Sequence, residues 1–149
     1  MTLPHTRRHV CFASIIEGNL ATRERCESAL FARLFAAGIE ISMVAVNDVG
    51  CALALDECDL DALGKAVKSL NVALRLRTHC VRVSVSQRGV DPPLPSISSV
   101  IGAMAEAGIC FVHLAAGTDD LSVLVDERDA GRTQAVLAAC VVATPRTAA

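Results

Sequence analysis

The sequence predicts an α+β protein built from two copies of one β-α-β-β-α-β unit, with antiparallel sheets and helices on one face. Three observations lead there. The chain matches itself, without a gap, at a shift of seventy positions. Stretches with period-two apolar alternation are separated by stretches of helical period. A glycine, Gly38 or Gly108, follows the first helical stretch of each copy. The shift superposes Ala37-Gly38-Ile39 on Ala107-Gly108-Ile109, Ala45 on Ala115, Asp56-Glu57 on Asp126-Glu127 and Asp59 on Asp129. It also carries His9 to His79, Ser14 to Ser84 and Ser28 to Ser98.

Taken in order, HVCFASII (His9–Ile16) is rich in strand-forming residues and opens the first unit. From Leu20 to Ala37 the period becomes helical, with Leu30, Phe31, Leu34 and Phe35 on the apolar side and Thr22 placed to cap. Gly38 ends the helix in a left-handed conformation that glycine adopts cheaply. Ile39–Val46 and Cys51–Leu55 read as hairpin arms around the turn Asn47-Asp48-Val49-Gly50. The acidic run Asp56–Asp61 suits a helix start, and Leu60, Leu63, Ala66, Val67 and Leu70 give that helix its stripe. Val72–Leu76 reads as a short closing strand.

The second unit follows the same plan. Val81, Val83 and Val85 share one face of a strand over Cys80–Ser86, and a loop with Gly89 and three prolines follows. Pro95 fits a first helical turn. Ile97, Val100, Ile101 and Met104 are the expected buried side of the helix that Gly108 stops. Ile109–Ala116 and Leu121–Val125 form the second hairpin, Asp129–Cys140 the last helix and Val141–Ala143 a final short strand. Two ferredoxin-like units result, at residues 8–76 and 77–145. Units this small have thin cores, so pairing with a second chain is expected.

Composition narrows the function. The 52% hydrophobic content and mean hydropathy of +0.46 exceed what two small cores need. With net charge -2, no Trp or Tyr and four Phe, the chain lacks the basic face and stacking rings of nucleic-acid binding. No apolar run reaches a membrane span and the N-terminus lacks a signal-peptide core, so a cytoplasmic location is expected. The seven cysteines are odd in number, evenly spread and without Cys-x-x-Cys, which makes them buried hydrophobes rather than disulfides or metal ligands. Cys110 and His113, three apart on a strand, fall on opposite faces. No metal and no cofactor are implied.

Ala105–Ala130 (AEAGICFVHLAAGTDDLSVLVDERDA) resembles the second half of an ACT domain, in particular the C-terminal regulatory pair of aspartate kinases. The similarity lies in AGICF (107–111), LAAGTDD (114–120) and LSVLVDERDA (121–130). AGIEISMVAVND (37–48) is similar to the first unit of the same pair, and CVVATPRT to its closing strand. The resemblance spans about residues 8–146 and implies two ACT units. It also implies an amino-acid effector, a homodimer, and a regulatory role toward a separate catalytic subunit. No kinase domain or phosphate-cradling Gly-rich run is present.

The resemblance implies binding at the strand–helix loop and at the strand end near Asn47. In the family that loop usually carries Asp-Arg-Pro-Gly or His-Pro-Gly; here it is Glu17-Gly18-Asn19-Leu20 in one unit and Gly89-Val90-Asp91-Pro92-Pro93 in the other. The Ser-Thr-Ser-Glu segment is replaced by Ala116-Gly117-Thr118-Asp119.

Physical reasoning reaches the same places. A free amino acid presents a carboxylate beside an ammonium. The helix N-terminus at Ser96, Ile97 and Ser98 offers amides to the former, and Glu17, Asp48, Asp91 or Asp119 offers charge to the latter. Asn47 can bridge both. Each residue also has a bland reading: Asn47-Asp48 and Asp91 as turn and loop formers, His113 as a packed or surface residue. Catalytic residues are unassigned. An enzyme on this scaffold, with acid–base work by His113, Glu17 or Asp91, and a ligand-free dimerisation module remain the alternatives.

Overall fold

The repeat is realised in three dimensions almost position for position. A computed structural model describes residues 4–17, 23–47, 50–70, 72–86 and 94–143. In chain order the elements are β1 (His5–Glu17), α1 (Arg23–Ala36), β2 (Ile41–Asn47), β3 (Gly50–Asp56), α2 (Leu60–Val67) and β4 (Val72–Ser86). Then follow α3 (Ile97–Glu106), β5 (Phe111–Ala116), β6 (Asp120–Asp126) and α4 (Ala130–Ala143). A single 3-10 turn, Glu57–Asp59 or Glu127–Asp129, leads into α2 and α4.

The chain divides into two compact units: residues 9–79, the first, and residues 1–8 with 80–149, the second. In the first, β3 lies between β2 and β1, and β4 flanks β1 on the other side. In the second, β6 lies between β5 and β4, and β1 flanks β4. The paired ladders are antiparallel and in the same register: Val10↔Asp56 to Ile16↔Gly50 in one, Cys80↔Asp126 to Ser86↔Asp120 in the other. Even the irregularity recurs, between Ile41 and Met43 and between Phe111 and His113.

Each unit has its own core on the helix-covered face of its sheet. In the first, Ala13, Ile15, Leu53 and Leu55 pack with Leu30 and Leu34 of α1 and Leu63 and Val67 of α2. The seventy-residue shift turns that set into Val83, Val85, Val123, Val125, Val100, Met104, Thr133 and Leu137, all buried. Every apolar member of the copied set belongs to the second core.

Both helix stops follow the expected chemistry. Gly38 and Gly108 have φ of +69° and +63°, the left-handed region where a side chain is strained. The amide of Ile39 donates to the carbonyl of Leu34 at 3.1 Å and that of Ile109 to Met104 at 2.9 Å. These bonds reach back five residues and satisfy carbonyls the helix end leaves open.

Several expectations are corrected. Leu30 and Leu34 of α1 are buried, whereas Phe35 is 88% exposed. In α3, Val100 and Met104 are buried and Ile97 and Ile101 are exposed, because one turn-to-turn stripe fills the core contact. Pro95 is buried just ahead of the cap residue Ser96 rather than inside the first turn. Val72–Leu76 and Cys80–Ser86 form one strand, β4. Val141–Ala143 is helix: Ala138 and Ala139 propagate α4 where α2, with Lys68 and Ser69 at those positions, stops at Val67. Cys11, Cys51 and Cys80 are buried as expected, but Cys58 and Cys110 are exposed. Cys110 precedes β5 instead of lying on it. The proposed cap Thr22 lies outside the described residues. No helix is long and apolar enough to cross a membrane among the described residues.

Candidate functional site

Register decides what meets at the end of each sheet. In the first unit Ile16 pairs with Gly50, and Gly50 pairs with Asn47. Glu17, the last residue of β1, and Asn47, the last of β2, therefore lie at one sheet end, where the β1–α1 loop departs. Gly50 fixes this corner. Its φ is +146°, and a Cβ there would sit 2.0 Å from the Ile15 carbonyl oxygen. Asn47 is exposed. Gly18, Asn19 and Asp48 lie outside the described residues.

The second unit brings the corresponding segments together. Ser86 pairs with Asp120, so the loop leaving β4 starts beside the β5–β6 hairpin. The Gly117 amide donates to the Asp120 carbonyl at 2.8 Å and closes that hairpin. Gly117, Thr118 and Asp119 are exposed. A Cβ on Gly117 would meet the Asp120 carboxylate at 2.6 Å. Gly89, Val90 and Asp91 lie outside the described residues.

The start of α3 follows that loop. Ser96 caps it: its hydroxyl accepts from the Ser99 amide at 3.1 Å and lies 2.8 Å from the Ser99 hydroxyl. The cap uses the Ser99 amide, which leaves those of Ile97 and Ser98 as the donors nearest the loop. Ser96, Ile97 and Ser98 are all exposed.

His113 belongs elsewhere. It pairs with Leu124, four residues along β6 from Asp120, or about 13 Å at strand rise. Burial lowers its pKa from the ordinary 6.5, favouring the neutral ring. It shares the face turned away from the core with Leu124 and Arg82, while Ser84 and Ser122 form the next row. The Ser84 and Ser122 hydroxyls lie 2.9 Å apart. The first-unit counterparts of Arg82, Ser122 and His113 are Phe12, Ala52 and Met43, so this polar row belongs to the second copy alone. Its trace in the sequence was the alternation of Arg82 and Ser84 with the three valines. No cluster of His, Cys, Asp or Glu suited to a metal occurs among the described residues.

No family model matches the sequence, and no curated protein does. Solved structures do match. One is a domain assigned as the C-terminal regulatory domain of an aspartate kinase from Porphyromonas gingivalis W83. It is 17% identical, with 95% of this chain and 97% of that one covered at a TM-score of 0.78. The fold is that of aspartate kinase regulatory regions. The ligand-free regulatory subunit of the Thermus thermophilus enzyme is 15% identical at a TM-score of 0.73, covering 92% of this chain and 95% of its own. E. coli aspartokinase III in complex with lysine and aspartate, a T-state structure, is 18% identical at a TM-score of 0.66. There 92% of this chain lies over 32% of that one. The expected resemblance and the α+β class with paired ACT-type units therefore hold at the level of fold.

Proposed function

We propose that this protein is a regulatory module of two ACT units, residues 8–76 and 77–145, that binds a small molecule, an amino acid, and acts as a homodimer. It would serve a separate catalytic subunit of an amino-acid biosynthetic enzyme, in the cytoplasm. The observation that carries this reading is the register: in both copies the strand–helix loop and the hairpin share one sheet end. The proposed ligand-facing residues are Glu17, Gly18, Asn19, Asn47 and Asp48 in the first unit. In the second they are Gly89, Val90, Asp91, Gly117, Thr118 and Asp119. The α3 amides offer positive partial charge for a carboxylate, and the acidic residues complement an ammonium.

Lysine accompanies the T-state structure of E. coli aspartokinase III, one of the folds this chain resembles, which supports an amino acid as the class of effector. Regulation then requires the ligand to favour one assembly state over another. A thermal-shift panel of the amino acids tests the reading. A ligand at a hundred times its dissociation constant stabilises the protein by about 2.7 kcal/mol, and Asn47→Ala or Asp119→Ala reduces that response. An unmoved midpoint with every amino acid would overturn it.

A further inference from the structure

The helices of the two copies differ on the side turned away from the sheet. A helix laid on a sheet normally carries charged residues along that side. In the second unit α3 holds no charged residue from Ile97 to Ala105, and α4 holds none from Thr133 to Ala143. What they expose is apolar: Ile97, Ile101 and Val142 are 44%, 42% and 68% exposed, and Ala105, Ala135 and Ala139 are exposed as well.

The repeat shows that the fold does not require this. The seventy-residue shift sets Ile97, Ala103, Ala135 and Ala138 on Glu27, Arg33, Lys65 and Lys68. Four charges in one copy are four apolar residues in the other. Lys65 and Lys68 are exposed on α2, so the same helix position accepts a charge. Apolar surface left in water is unfavourable, and a contiguous charge-free face gains from being covered.

Charge returns at one rim. Arg132, in the first turn of α4, donates to the Asp129 carboxylate at 3.1 Å and to the carbonyl of Ala107, just past the end of α3. The end of α3 therefore lies beside the start of α4, and the two helices run antiparallel. Glu106 on α3 and Arg132 on α4, both exposed, mark this rim, while Ile97 and Val142 belong to the opposite end.

We propose that the α3–α4 face of the second unit is where a second copy of this chain docks. The inference rests on the homodimer reading above and names the surface that forms it. A twofold axis running along the helices lays α3 of each copy over α4 of the other. Such an axis keeps the charged rims at the same end, so Glu106 of each copy meets Arg132 of the other. Opposite charges thus face each other twice in the pair, and the face between has no charge to desolvate. The fourteen residues of α4 span about 21 Å and two adjacent helices about 20 Å, a flat footprint of about 400 Å². That is below the ~800 Å² per partner of a standard interface, which places the pair at the weak, reversible end.

Sedimentation velocity of the full chain over a concentration series tests this. The unmodified chain should pass from monomer to dimer as concentration rises. Ala135→Lys combined with Ala138→Lys introduces the lysines that the first copy carries, and it puts four like charges into the pair. Dimerisation should weaken about a hundredfold or more. Glu106→Arg should weaken it about fivefold at low salt and less at high salt. Lys65→Glu on α2 should leave it unchanged. A chain that stays monomeric at every concentration refutes both this inference and the homodimer reading. A dimer that survives the paired lysine substitutions refutes the inference alone, since the copies then meet elsewhere and the face is left to another partner. Glu106→Arg alters an exposed side chain and keeps the test open if the lysine pair impairs folding: an unchanged affinity there also refutes the pairing.

Discussion

Replacing Gly50 by alanine tests how the first hairpin sets the sheet end. Gly50 has φ +146°, and the added Cβ would stand 2.0 Å from the Ile15 carbonyl oxygen, 3.0 Å from its carbon and 3.1 Å from the Ile16 Cα. All three are backbone atoms of β1, so no side chain can swing away. Either β3 moves and the terminal pairs Ile16↔Gly50 and Asn47↔Gly50 part, or the turn is rebuilt. The backbone conformation alone costs a side chain about 1–3 kcal/mol, and two lost ladder hydrogen bonds add about 1 kcal/mol each. The expected loss is about 3–5 kcal/mol, a large part of a domain's stability. The second copy carries Asp120 at this position, so the restraint belongs to the first turn and not to strand pairing in general. Urea unfolding followed through β3 amide signals measures it. Gly64→Ala is the control: nothing lies within 4 Å of its Cβ position inside α2, and a gain of about 0.5–1 kcal/mol is expected. A Gly50→Ala loss below about 1 kcal/mol would refute the reasoning.

Other outcomes follow from the same geometry. Thr133 is fully buried in α4, its hydroxyl has no hydrogen-bond partner, and its counterpart is Leu63. Thr133→Val should therefore stabilise the second unit by about 1–2 kcal/mol in denaturant unfolding, while Thr133→Ser should not. Gly38→Ala and Gly108→Ala meet nothing within 4 Å, so each should lose only the left-handed penalty of about 1 kcal/mol, equally in the two units. His113 should titrate below 6.5 in an NMR pH series. Because the unfolded chain takes up that proton more readily, its contribution is fully present above pH 6.5 and is lost as pH falls through the lower folded value. Unfolding midpoints between pH 7 and pH 5 should therefore fall less steeply in His113→Asn.

The fold was legible because two independent signals agreed at each position. Leu30 and Leu34 mark a core stripe by spacing, and Val100 and Met104 mark the same stripe seventy residues later. Where a pattern has no counterweight, reading it alone misleads. Phe35 and Ile101 look like core at helical spacing, yet a two-layer unit buries only one narrow stripe of each helix. The strand expected at Val141–Ala143 failed for a related reason. The repeat argues for a strand, but Ala138-Ala139 favours continuation of the helix, and the neighbour of β4 opposite β6 is β1, from the far end of the sequence. Such competition is invisible to local pattern. At the candidate site the sequence located the corners, since Asn47 and Gly50 are turn residues between alternating strands. What it could not supply is the pairing of Ile16 with Gly50 that sets Glu17 and Asn47 at the same sheet end. The polar row of Arg82, Ser84, Ser122 and His113 emerges only when three strands are aligned.

The most direct test of ligand binding at these sheet ends is an NMR titration of the isotope-labelled full chain with individual amino acids. Saturable shift changes are expected at Asn47 and Gly50 in the first unit, and at Gly117–Asp120 with Ile97 and Ser98 in the second. Asp56 and Asp126, at the opposite end of the same ladders, should stay still. No saturable change with any amino acid, or changes confined to the Asp56 and Asp126 ends, would contradict the account.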